Sequence, residues 1–469
     1  MKLLSLDGQE AGIPAEAIQA FRLAFKGQVV LPDDPAYDGL RKIWNAMIDR
    51  RPGVILRCLG TTDVITAVKF VAAHGLLSSV RSGGHNIAGL AVCEGGVMID
   101  LSLMRGVFVD TERRVAHAQA GCTLGDVDRE TQLHGLATVM GFVSDTGIAG
   151  LTVGGGFGYL TRRYGWTCDN VVAMNVVSAE GKLLRASADE NPELFWALRG
   201  GGGNFGIVTS FDYRLYAVGP TILGGALAWR GEDARRILAA YREISARAPR
   251  DLTCVAILRK APPAPWLPKE VHGQPIVALF LTHCGAEADD SLINELRAVM
   301  PPIADTVTRR PYAQMQSLLD ATQPRGRRYY WKSHYLARID DGLIDVLATR
   351  LKDIPSPHSG IILFQIGGAL NELPPAHSPA GNRDATYVLN ISSSWERAED
   401  DTVNRDWARE CFAAAQTFAT GGTYLNFLTE EDGGARIADA YGPENLRRLA
   451  GLKRKLDPAN LFRHTKAVI

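Results

Sequence analysis

The 469-residue sequence predicts an α+β chain in two domains. Three observations carry that reading. Glycine, at 48 residues, is enriched over the average of roughly 7% and concentrates between residues 83 and 206. Residues 207–215 alternate, with Ile207, Thr209, Phe211, Tyr213 and Leu215 on one face and more polar residues on the other, as in a half-buried antiparallel strand. After Gly219-Pro220 the glycine clusters stop, and strand and helix signals alternate at longer spacing. A glycine-rich domain therefore occupies residues 1–216. A mixed domain, with an antiparallel sheet backed by helices, follows over 217–424.

The elements follow in order. Residues 37–50 place Leu40, Ile43, Trp44, Met47 and Ile48 at helical spacing. Residues 54–58 read as a strand. Thr61 or Thr62 can cap a helix that Gly75 stops, with Val64, Val68 and Val71 as its apolar stripe. Residues 76–80 and 97–101 read as strands, 106–120 as two strands around a turn at 111–113, and 124–134 as a helix closed by Gly135. Residues 170–177 form a strand. Asn191 caps a helix with Pro192 at its first position, where a missing N–H costs nothing. Beyond Gly219, strands are expected at 252–260, 275–282, 329–336 and 360–366. Helices are expected at 289–300, 342–351 and 404–420, and loops at 261–268 and 371–384.

Composition narrows the function classes. Lys+Arg and Asp+Glu are both 51, so no net charge favours nucleic acid or an anionic membrane. The seven cysteines are scattered without CxxC or zinc-type spacing, which reads as free thiols and no metal site. The apolar run at the N-terminus is too short for a signal-peptide core. The expectation is a cytoplasmic protein, monomeric or homodimeric, without a membrane or nucleic-acid partner.

The chemistry lies in the glycines. His85 follows a glycine pair in RSGGHN (81–86); a second cluster is TGIAGLTVGGGFG (146–158) and a third RGGGGNFG (199–206). A dinucleotide fingerprint needs strand–GxGxxG–helix with a later acid, and 154–158 does not meet it cleanly. A P-loop needs Lys and Ser/Thr after its last glycine, which these clusters lack. Three converging glycine loops instead suggest a large cofactor held mainly by backbone N–H groups.

In order and spacing, RSGGHN, TGIAGLTVGGGFGYLTRRYGWTCDN (146–170), NPELFWALRGGGGNFGIVT (191–209), GGTYLNF (421–427) and DPANLF (457–462) resemble the berberine-bridge-enzyme-like, FAD-linked oxidases of the vanillyl-alcohol-oxidase (PCMH-type) superfamily. Within the family the likeness is nearest to the bacterial flavin-N5-oxide type. The resemblance implies a two-lobed FAD-binding domain, completed by about 425–469. It implies that His85 carries FAD covalently, and a neutral imidazole is a competent nucleophile for that. Many relatives add a second link through a cysteine; Val143 stands in that register, which implies a single link. Thr146 would lie over the flavin and leave room for O2.

Further contacts follow from the same likeness. Arg81, Ser82, Gly83, Gly84, Asn86 and Ala88 would cradle the pyrophosphate. Gly147, Gly150, Gly154, Gly155 and Gly158 would line the second loop. Asn204, Gly206 and Val208 would contact the adenine side or ribityl chain, and Tyr424 and Asn426 the isoalloxazine. Asp169-Asn170 could be purely structural.

The catalytic group is open at this point. The strand at 360–366 has no acid, and Gln365 is its main inward polar candidate. On 329–336, Lys332 or His334 could serve as a base if desolvated. Tyr424 is the first choice for handling a proton. The expected activity is O2-dependent oxidation of a small apolar, aromatic or polyketide-like molecule, with flavin-N5 oxygenation as a sharper form. A dehydrogenase with another acceptor and a non-catalytic flavin-binding protein are the alternatives.

Overall fold

The computed structural model describes residues 2–286 and 290–469. Two larger sheets build the N-terminal region, with small two-stranded pairs at Lys2–Leu4 with Glu10–Gly12 and at Leu136–Ala137 with Tyr216–Ala217. The first has the order Gln28–Val30, Val54–Arg57, Val97–Asp100, Ser78–Arg81; the last three strands are parallel, as the intervening helix Thr61–Ala73 permits. The second is antiparallel, with the order Leu183–Ser187, Val171–Val177, Ile207–Arg214, Val115–Gln119, Val107–Asp110. One apolar core joins them, and Leu425, Leu428, Tyr441, Leu449 and Phe462 from the C-terminal stretch pack into it.

The region after residue 220 is an antiparallel sheet with the order Ala304–Asp305, Thr221–Arg230, Pro275–His283, Leu252–Lys260, Gly360–Gln365, Tyr387–Trp395, Arg328–Leu336; Thr308–Pro311 also pairs with Thr221–Arg230. Its two faces part the side chains by the period-2 rule. Cys254, Ala256, Leu258, Ile361 and Leu363 meet the helices Ala234–Arg247, Asp341–Arg350 and Asp401–Ala415. Val255, Ile257, Phe364 and Val388 point the other way, into a core shared with Phe157, Trp166 and Tyr424. The α+β class with an antiparallel second sheet stands.

Several local expectations are corrected. Residues 37–50 are helical only over Tyr37–Leu40. Beyond that, tertiary bonds replace the helical ladder: Asn45 donates to Ile87 O and Tyr329 O and accepts from Tyr329 N–H, while Trp44 stacks on Tyr329. The cap of Thr61–Ala73 is Gly60, and Asp63 accepts the Leu59 N–H at 2.9 Å. Asn191 precedes Pro192 in a left-handed conformation, but its side chain donates to Arg185 O rather than capping. The polar face of Ile207–Arg214 is covered because the strand is central; Asp212 is buried between His117 and Arg185. The helix expected from 289 is observed as Ser291–Val299, and residue 289 itself lies outside the described residues. All seven cysteines are free and buried.

Candidate active site

The glycine clusters and the inner face of the large sheet enclose one cavity of about 350 Å³. It runs from Ser78 and the His85 loop, along residues 141–154, to Gly202, Gly203 and Gly206 and the C-terminal Phe462, His464 and Lys466. The first two loops meet backbone to backbone. A Cβ on Gly83 would lie 2.3 Å from Gly147 N, and one on Gly147 would lie 2.2 Å from Gly83 N. Only glycine fits on either side of that contact.

His85 sits where the loops converge. Its ring stacks on Trp44, with centroids 5.3 Å apart. Nε2 lies 2.9 Å from Asp145 Oδ1, a close contact without the alignment of a hydrogen bond. Burial lowers the imidazole pKa below its usual 6.5, with Asp145 acting in the opposite direction. The ring is therefore neutral near pH 7, the form a nucleophile needs. Asp145 is also held by Arg325 Nε at 3.0 Å.

Ser82, Gly83, Gly84, Asn86, Thr146, Gly147, Gly150, Gly154, Gly206, Val208, Tyr424 and Asn426 all line the cavity, as does Val143. Other expected contacts do not. Arg81 is spent on structure: Nε and Nη2 grip buried Asp100, and Nη1 donates to Leu40 O. Ala88 and Gly158 are packed away from the cavity, and a Cβ on Gly158 would collide with Met140 O at 1.8 Å. Gly155 turns toward Ala380. Asn204 donates to Gly201 O and Lys466 O, which ties the third loop to the C-terminal stretch. Asp169 pairs with Arg383, and Asn170 donates to Tyr164 O and Trp166 O, both structural uses.

The two strand-borne base candidates and the polar candidate Gln365 share one fault, the wrong face of the sheet. Lys332 Nζ bonds Asp432 at 2.8 Å and Glu431 at 3.0 Å. His334 stacks on Phe412, donates to Phe412 O at 2.9 Å, and is pushed by burial down to about 4. Gln365 accepts from Cys254 N and donates to Ser245 O. Their neighbours Trp331, Ile362 and Phe364 are the ones that face the cavity. Tyr424 does line it. Its Oη accepts from Gly156 N–H at 3.1 Å and Asn426 Nδ2 at 3.0 Å, and burial pushes the phenol well above its usual 10. The phenol is therefore protonated near neutral pH.

Sequence reasoning missed Lys466, His464, Arg259, Asn390 and Ser392, all of which line the cavity. Lys466 donates to Thr429 O, and burial lowers its pKa to about 8. No motif flags it, because only the tertiary return of the C-terminal stretch brings it in.

A family model described as "FAD binding domain" matches residues 52–187, and one described as "Berberine and berberine like" matches 423–469. The chain is similar to the (R)-6-hydroxynicotine oxidase of Paenarthrobacter nicotinovorans, at 32% identity over 94% of this chain and 96% of that one. The chain belongs to the berberine-bridge-enzyme-like, FAD-linked oxidases. The solved 6-hydroxy-D-nicotine oxidase of Arthrobacter nicotinovorans superposes with a TM-score of 0.84 at 31% identity, covering 95% of this chain and 98% of that one. Berberine bridge enzyme from Eschscholzia californica gives 0.84 at 19%, covering 96% and 98%, a likeness of fold alone. The narrower likeness to the flavin-N5-oxide type gains no support from these relatives.

Membership of the berberine-bridge-enzyme-like oxidases implies FAD, and the cavity suits it. Its glycine loops present backbone without side chains, and Lys466 and His464, from the C-terminal stretch, would supply hydrogen bonds or charge to a cofactor phosphate. Elsewhere on its wall Gln323 Oε1, Trp331 Nε1, Asn390 Oδ1 and Ser392 Oγ are buried without partners inside the protein, as expected where a polar ring system or substrate completes the bonding. Among the described residues no helix is long and apolar enough to cross a membrane, and no cluster of His, Cys, Asp or Glu could hold a metal.

Proposed function

We propose that this chain oxidises a small, largely apolar amine, with FAD tethered through His85 as its sole covalent link and O2 as electron acceptor. One observation carries the amine reading: among the described residues no Asp or Glu lines the cavity, and its basic side chains His358, His464 and Lys466 are engaged by Glu396, Val92 O and Thr429 O. An alcohol that gives up hydride must also lose its O–H proton to a base. A neutral amine that gives up hydride becomes an iminium ion and needs none. FAD, when bound, supplies the hydride acceptor and passes the electrons to O2.

The residues then divide the work. Phe142, Phe157, Ile257, Ile362, Phe364 and Phe427 form an apolar chamber that excludes water and favours the uncharged amine. Burial keeps the proton on Tyr424 Oη, and because both hydrogen bonds from the protein are accepted there, that proton is free to orient a substrate lone pair. Small Val143 and Thr146 beside the Gly83–Gly147 contact leave space for O2. The similarity to a nicotine oxidase supports an amine over a sugar.

Mass spectrometry of acid-denatured protein tests the tether. Wild type retains the mass of FAD and His85→Ala does not; release of the flavin from wild type by acid refutes the link. Photoreduction followed by mixing with O2 tests the acceptor, and slow re-oxidation points to a dehydrogenase.

A further inference from the structure

The floor of the chamber is laid out in cross-strand rows. Arg259 pairs with Gly360, Gly360 with Ser392, and Ser392 with Trp331, so these four positions cross the sheet in one line. All four line the cavity. In the next row, Ile257 pairs with Ile362 and Ile362 with Asn390. Within an apolar chamber, the first row is therefore a strip of hydrogen-bond donors: a guanidinium, a hydroxyl and an indole N–H.

The strip lacks partners within the protein. Ser392 Oγ and Trp331 Nε1 are buried and unbonded. Arg259 donates through Nε to Lys260 O and through Nη2 to Pro357 O, both at 3.2 Å. These are neutral acceptors, and among the described residues no carboxylate pairs with Arg259. The charged groups around it are also cationic or engaged. Arg327 acts on it as a like charge, and His358, which lines the cavity beside it, lies 3.2 Å from Glu396. A partly buried cation without an anion is unfavourable until one is supplied. Gly360 places no side chain between Arg259 and Ser392, and a Cβ there would stand 3.1 Å from Leu258 O and 3.4 Å from Arg259 Cβ. Adjacent strands stand about 4.8 Å apart, so a carboxylate over Gly360 reaches both. Arginine's planar fork suits that geometry, which a lysine would not reproduce.

We propose that Arg259, Gly360, Ser392 and Trp331 form a carboxylate-binding subsite, so that the amine oxidised here carries a carboxylate remote from the carbon that loses hydride. This rests on the oxidase reading and adds a substrate class to it. A substrate of this class is held at two ends: the carboxylate over Gly360, and the neutral amine in the apolar part of the chamber near Tyr424.

The test uses the FAD-loaded protein and two probes of one shape, benzoate and benzamide, each titrated against the visible flavin spectrum. Wild type is expected to bind benzoate about 10- to 100-fold more tightly than benzamide, the range for hydrogen bonds to a charged group. Arg259→Gln is expected to lose that preference while keeping the wild-type flavin content, and Arg259→Lys to keep only part of it. Equal binding of the two probes to wild type, no response to either, or a benzoate preference that survives in Arg259→Gln overturns the subsite. If Arg259→Gln does not fold, the wild-type ratio and Arg259→Lys decide. Photoreduction and O2 re-oxidation of wild type use neither probe, so failure of the oxidase reading is distinguished from failure of the subsite.

Discussion

Replacing Arg162 with methionine should loosen the hold of the second glycine loop on the large sheet. Arg162 lies in the helical turn Thr161–Tyr164, directly after Gly154–158, and is 6% exposed. Its guanidinium donates to four main-chain carbonyls of the region after residue 220: Gly367 at 3.0 Å, Pro249 at 2.7 Å, Ala248 at 3.0 Å, and Leu252. Methionine keeps much of the stem and removes every donor. At a net ~1 kcal/mol per bond the loss is about 4 kcal/mol. Removing a buried cation that has no carboxylate partner returns part of it, and Pro249 is exposed enough for its carbonyl to be rehydrated. The expected net cost is about 3 kcal/mol. Urea unfolding followed by tryptophan fluorescence measures it, and the visible flavin spectrum followed through the same transition reports whether the cofactor loop loosens with it. Arg162→Lys should recover less than half, because one ammonium cannot fork to four acceptors. An Arg162→Met protein within about 1 kcal/mol of wild type, with an unchanged flavin transition, would refute the reasoning.

Three other outcomes are expected. Gly147→Ala, whose new methyl would stand 2.2 Å from Gly83 N, should yield folded protein with little flavin, read as the ratio of visible to ultraviolet absorbance. Tyr424→Phe strands the Gly156 and Asn426 donors and should cost about 1–3 kcal/mol in urea unfolding, without adding or removing an ionisation in the pH profile of kcat, since the phenol stays protonated. His334 has a folded pKa of about 4 against 6.5, lowered first by burial and then by Arg436. The stability it contributes is complete above pH 6.5 and lost as pH falls toward 4, about 3 kcal/mol in all. His334→Phe should flatten that part of the pH dependence of the urea midpoint, and an unchanged slope counts against it.

The cofactor end of the site was legible because its physics is local. A backbone that approaches another backbone needs glycine, and Gly83, Gly147 and Gly206 announce themselves in any window. The sheet-borne residues were not legible, because a strand shows its period but not which of its faces meets the cavity. Lys332, His334 and Gln365 are all one residue out of phase with Trp331 and Phe364. Arg259 could have been found from its phase: it shares a face with Ile257, two residues earlier, and a charge on an apolar face is the informative exception. The failed helix at 37–50 shows the other limit. Its apolar spacing is real, but Trp44 and Asn45 serve the strand at 328–336, a partner nearly three hundred residues away.

The cavity wall is assembled from residues as distant in the chain as Ser78 and Lys466. On the ribosome, the glycine loops emerge long before Tyr424, Asn426 and Lys466 exist. A nascent chain that has completed both sheets of its N-terminal region still has an open trough where the finished protein has a cavity. Capture of the flavin is therefore among the last events of biogenesis, and truncations short of residue 466 should accumulate as colourless protein, however well their sheets have formed.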